Sequence, residues 1–141
     1  MITDQEIKDS MEEFLEFFRS RPIADNNGGG LSVNQFSLWL TLKKIQPKYV
    51  IESGVFQGQG TWIIENTLPD AKLFCIDPDL NQRKYISPKA RYLTDDFLSL
   101  GPHNINPAIV PDTLVYFDDH QDQYHRLLHA NHLGFKHMGQ G

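Results

Sequence analysis

Apolar residues recur at helical spacing between about Asp4 and Arg19, where Ile7, Met11, Phe14, Leu15 and Phe18 fall on one face. Thr3 and Glu6 have the form of a capping box at its start, so the pattern predicts an amphipathic helix. Pro22 and the run Asp25-Asn26-Asn27-Gly28-Gly29-Gly30 break that pattern and predict a flexible loop. A second helix is predicted with Ser32 as N-cap and Gln35 at the capping-box position. It continues through Phe36, Leu38, Trp39, Leu42 and Ile45 and stops before Pro47. Both helices read as covers for a sheet.

From Tyr49 the texture changes to short apolar runs alternating with helical stretches. Strands are predicted at Tyr49–Ile51, Leu73–Ile76, Arg91–Leu93 and Thr113–Phe117, with helices at Thr61–Glu65 and Asp122–His132. A fifth strand could start at Phe135–His137, whereas Met138 to Gly141 has no strand character. The stretch from Asp77 to Arg91 holds Pro78 and Pro88 and predicts only a short irregular helix. Near-continuous apolar strands alternating with helices imply an α/β fold with a mostly parallel, doubly wound sheet covered on both faces. The chain's 141 residues suit one domain, with a helical part over 1–46 and an α/β part over 47–141.

Charge narrows the partners. The net charge is −5 and no basic run exceeds Lys43-Lys44, which argues against a nucleic-acid partner. No segment has the apolar length of a membrane span, and the acidic, polar start is unlike a secretory signal. The lone Cys75 lies in an apolar run and reads as a core residue in a reducing, cytoplasmic setting.

Candidate chemistry centres on Tyr49 to Thr61, where an apolar strand ends in Glu52 and glycines follow at 54, 58 and 60 before a helix. Such glycines let a strand turn sharply and let a ligand approach bare backbone. The helix N-terminus would then offer free N–H groups to a polar part of the ligand. The spacing is neither the G-x-G-x-x-G of a dinucleotide site nor a P-loop. Glu52 suits a cationic end, such as the ammonium of S-adenosylmethionine. Asp77 ends the next strand, 23 residues after Gly54, where a ribose-binding acid is expected. Asp95-Asp96 follows the third strand and Asp118-Asp119-His120 the fourth, so four strand ends carry acids toward one crevice.

These residues, from about Tyr49 to His120, resemble the Rossmann-like class I S-adenosylmethionine-dependent methyltransferases. The closer likeness is to the small-molecule O-methyltransferase and cephalosporin-hydroxylase-like branch, whose loop reads E-x-G-x-x-x-G-x-S/T. Glu52, Gly54 and Gly58 match that form, but Gly60-Thr61 stands where the branch has a hydroxyl residue directly. The resemblance implies that Glu52, Gly54 and Gly58 lie under the methionine end, with Gly60 in the same loop. It also implies that Asp77 holds the ribose and that Asp95 or Asp96 neighbours the adenine amino group. Phe117-Asp118-Asp119-His120 looks like the acidic-histidine motif beside the methyl group, which sometimes holds a divalent metal.

The resemblance further implies strands five to seven, so the C-terminal strands are expected to be missing here. An open sheet edge would then favour a homo-oligomer. The reaction expected is methyl transfer to a small-molecule acceptor, with oxygen as the acceptor atom. His120 is the candidate base, with Asp118 and Asp119 orienting it or binding magnesium. The alternative for Asp118 and His120 is capping of the following helix. His125, His129 and His132 share a helical face beside Tyr124, Leu127 and Leu128, which reads as a solvated or interface face rather than a metal site. The rival functions are a non-catalytic cofactor-binding or assembly protein and a nicotinamide-dinucleotide enzyme.

Overall fold

The computed structural model describes residues 3–24, 32–119 and 122–141, and for Ser32 the backbone alone. Helix α1 spans Asp4–Phe18, and the Thr3 hydroxyl accepts the Glu6 backbone N–H at 3.1 Å, as the capping pattern predicts. Only Phe14 and Phe18 of its apolar positions are buried; Ile7, Met11 and Leu15 stand exposed. Helix α2 spans Ser32–Ile45, and the capping expected of the Ser32 side chain lies outside what is described.

Strand β1 (Tyr49–Ser53) leads through α3 (Gln59–Thr67) to β2 (Lys72–Ile76) and then β3 (Arg91–Leu93). The chain then crosses to β4 (Thr113–Phe117), α4 (Gln123–His132) and β5 (His137–Gln140). The five strands form one sheet in the order β3-β2-β1-β4-β5, and every neighbouring pair is parallel. This is a Rossmann-like doubly wound α/β fold preceded by two helices. Residues 77–90 contain no helix; side-chain turns at Asp77 and Asp79, whose carboxylates accept the N–H two residues on, take its place. The fifth strand starts at His137, within the segment expected to begin it, and runs on through Met138-Gly139-Gln140, whose composition has no strand character. Ladder pairing with the buried β4 outweighs local propensity there.

Side chains alternate across the sheet. Val50, Leu73, Cys75, Leu114 and Tyr116 face the core shared with Phe14, Trp39, Leu42 and Ile63. Ile51, Ile76, Val115 and Phe117 face the second core with Phe97, Ala130 and Phe135. From β1 the chain winds outward one way to β2 and β3, then crosses back to β4 beside β1 and outward the other way to β5. The carboxyl ends of β1 and β4 therefore flank a topological switch point, where open α/β sheets bind ligands.

Candidate functional site

A cleft of about 420 Å³ opens at that switch point. Its lining includes Ser53 and Gly54 after β1, Asp77 and Asp79 after β2, Asp95 and Asp96 after β3, and Asp118 and Asp119 after β4. Six aspartates thus surround it, and the basic residue among the lining is Arg126 of α4. The volume falls in the range of about 300–1,000 Å³ typical of small-molecule sites.

The end of β2 holds the glycine turn. Asp77 accepts the backbone N–H of Val55 at 2.8 Å and of Phe56 at 3.3 Å on one oxygen, and the Asp79 N–H at 2.9 Å on the other. A carboxylate has about four acceptor positions, so Asp77 keeps capacity for a further donor.

Opposite, Ser53 donates its hydroxyl to Asp119 at 2.5 Å, and Arg126 reaches the same Asp119 oxygen at 3.0 Å. Arg126 also grips Asp96 with both nitrogens, at 2.9 and 3.1 Å, and is itself 4% exposed. One guanidinium thus serves two carboxylates whose proton affinities move in opposite directions. Partial burial pushes Asp96 up, but its hydrogen bonds from Arg126 and the Leu98 N–H outweigh this and leave it below the ordinary value. Burial dominates at Asp119, whose pKa is raised despite Ser53 and Arg126. Its Oδ1 is buried without a hydrogen-bond partner.

The structure corrects the expected role of Glu52. This residue is 1% exposed and lies beneath the loop, outside the cleft lining, where Thr61 donates to it at 2.5 Å and the Cys75 thiol at 3.4 Å. Burial is the main cause that pushes its pKa up to about 8, helped by the charges of Asp118 and Asp77. Burial also raises the Cys75 thiol, which accordingly stays protonated.

Two of the glycines answer to the protein rather than to a ligand. Gly58 has φ +101° and a Cβ there would stand 2.4 Å from the Tyr85 carbonyl oxygen, while a Cβ on Gly60 would meet the Glu52 carboxylate at 2.5 Å. Gly54, at φ +94°, is the loop glycine that lines the cleft; there a Cβ would strike the Asp118–Asp119 backbone. The start of α3 is covered as well. Lys84 and Tyr85 donate their N–H groups to Gln57, and the Gln59 side chain donates to the Ile23 carbonyl.

His120 lies outside the described residues. Asp122, not Asp118, occupies the N-cap of α4. A divalent ion at Asp118 and Asp119 fits the donor set poorly. Arg126 already places a cation against Asp119, and no group of three or more potential ligands converges among the described residues. Of the histidines on α4, His125 pairs with Asp122, and His129 donates Nε2–H to the Leu100 carbonyl at 2.6 Å.

Arg126 and Ser53 were not anticipated from the sequence. The predicted apolar stripe of α4 is also corrected, since Tyr124 is 70% exposed while Arg126 and Ala130 face inward. The missed signal is the i, i+4 pair of Arg126 and Ala130, with a guanidinium on the inner face and acids at neighbouring strand ends to receive it.

No family model matches the chain, and no curated protein sequence does. Solved structures do share its fold. The S-adenosylhomocysteine-bound methyltransferase PaMTH1 of Podospora anserina superposes with a TM-score of 0.58 at 14% identity, over 86% of this chain and 55% of that one. A proposed caffeoyl-CoA O-methyltransferase from Staphylococcus aureus gives 0.58 at 16% identity, over 96% and 63%. A methyltransferase from Geobacter sulfurreducens gives 0.56 at 18% identity, over 96% and 70%. The chain therefore has the fold of S-adenosylmethionine-dependent methyltransferases and spans 55% to 63% of the first two. No helix among the described residues is long and apolar enough to cross a membrane.

Proposed function

We propose that the chain is the cofactor-binding part of a methyltransferase, holding S-adenosylmethionine in the aspartate-lined cleft and serving a small-molecule oxygen acceptor. The observation that carries this reading is the ring of six aspartates at the switch point of a methyltransferase fold. Carboxylates accept from ribose hydroxyls and favour a cation, whereas they repel the pyrophosphate of a dinucleotide. The same charge therefore disfavours the nicotinamide alternative.

In this reading Asp77 receives the ribose hydroxyls and Asp95 or Asp96 the adenine amino group, while Gly54 and Asp118 border the methionine end. The cofactor, when bound, supplies an electrophilic methyl on a sulfonium. The chain's acids stabilise that positive charge before transfer, so they contribute to binding more than to rate. Rate would come from holding acceptor and methyl in line. His120 is the residue assigned to take the acceptor's proton, with Asp118, at the cleft, to orient it.

A second reading, a non-catalytic cofactor-binding or assembly module, is favoured by the exposed Ile7, Met11 and Leu15 on α1, which would suit a homo-oligomer. Incubation with methyl-tritiated cofactor and a panel of hydroxylated small molecules distinguishes the two. Labelled product supports the enzyme, and cofactor binding without transfer to any of them supports the module.

A further inference from the structure

Arg126 stands where two strand ends meet. Its Nη1 lies 2.9 Å from one Asp96 oxygen and 3.0 Å from an Asp119 oxygen, while Nη2 holds the other Asp96 oxygen at 3.1 Å. Carboxylates from separate elements that converge on one point are what a hard divalent cation also selects. Here the point is filled by a guanidinium from α4. Unlike lysine or histidine, arginine stays charged at any working pH, and its planar fork matches Asp96.

We propose that Arg126 is the resident cation of this carboxylate cluster, a positioning residue that fixes Asp96 and Asp119 and replaces a divalent metal ion. Several contacts support the assignment. The Ser53 hydroxyl donates to the same Asp119 oxygen, so the brace ties the ends of β1, β3 and β4 to α4. Asp96 caps the short helical turn Phe97–Ser99 through the Leu98 N–H at 2.9 Å, which sets its carboxylate toward the arginine. Arg126 is buried with almost no solvent contact, so water does not compete for its donors. Its effect on cofactor binding rests on the methyltransferase reading, whereas its role as the resident cation does not.

The test uses manganese as the probe and the paramagnetic resonance of free Mn²⁺ as the readout, on the full chain. The wild type should leave the signal unchanged. Arg126→Met, checked for folding by circular dichroism, should take up Mn²⁺, and adding Asp119→Asn should abolish that uptake. Uptake by the wild type that Asp119→Asn removes overturns the proposal, and so does a folded Arg126→Met chain that takes up none. Should Arg126→Met fail to fold, the wild-type titration still decides. A parallel calorimetric titration with S-adenosylhomocysteine should give the same affinity in EDTA and in magnesium, and a tenfold loss in EDTA contradicts the proposal. No S-adenosylhomocysteine binding under either condition counts against the methyltransferase reading and leaves the manganese result standing.

Discussion

Asp77 at the end of β2 accepts the Val55 backbone N–H at 2.8 Å, so one strand's carboxylate holds the turn that leaves its neighbour. The same side chain borders the cleft. Replacing Asp77 with alanine should therefore lower both melting temperature and ligand affinity, because the freed N–H groups of Val55 and Phe56 lose a charged acceptor. A loss of about 1–3 kcal/mol of stability is expected, measured by denaturant unfolding. Unchanged stability with weakened ligand binding would mean that Asp77 acts on the ligand alone.

Glu52 gives a pH dependence of definite sign. Its folded pKa of about 8 lies above the ordinary glutamate value of 4.5, so the folded state holds the proton more tightly. Its contribution is fully present below about pH 4.5 and is lost as pH rises through 8. Glu52→Gln keeps the hydrogen-bonding shape without the charge. The variant should gain stability relative to wild type as pH rises from 5 to 8, by on the order of a few kcal/mol. Parallel stability curves for the two proteins would contradict the burial argument.

Gly58 tests whether the loop glycines serve the fold. At φ +101° and with the Tyr85 carbonyl so near, Gly58→Ala should cost roughly 2–4 kcal/mol or prevent folding, although Gly58 does not line the cleft. A chain that keeps wild-type stability would show that the segment around Tyr85 gives way easily.

Much of this architecture was legible in the sequence. The ends of β3 and β4 match the apolar runs Arg91–Leu93 and Thr113–Phe117, and the acids after β2, β3 and β4 meet at one cleft, whereas Glu52 of β1 does not join them. What the sequence hid were relationships between distant segments. The residues around Tyr85 fold over the start of α3, Glu52 turns under the loop toward Thr61, and Arg126 points inward because Asp96 and Asp119 await it. Each depends on a partner at least seven residues away, and none has a local periodicity. The extension of β5 through Met138–Gln140 was missed for a related reason, since pairing with β4 rather than composition makes it a strand.

The charge of the cleft predicts its preference. A cofactor analogue that keeps a positive charge at the sulfur position should bind more tightly than neutral S-adenosylhomocysteine. The advantage should shrink as salt rises, because screening weakens the pull of the aspartates. Competition titrations at low and high salt read this directly. Equal affinities at low salt would show that the aspartates do not face that part of the ligand.

The central claim is tested most directly by calorimetric titration of the chain with S-adenosylhomocysteine, with Asp95→Ala alongside. Asp95 is exposed at the rim of the cleft, so its replacement should leave the fold intact. Saturable one-to-one binding to the wild type, weakened about tenfold or more in Asp95→Ala, is the predicted result. A folded wild-type chain that binds no S-adenosylhomocysteine would contradict the account, leaving a methyltransferase fold whose acidic cleft serves another ligand.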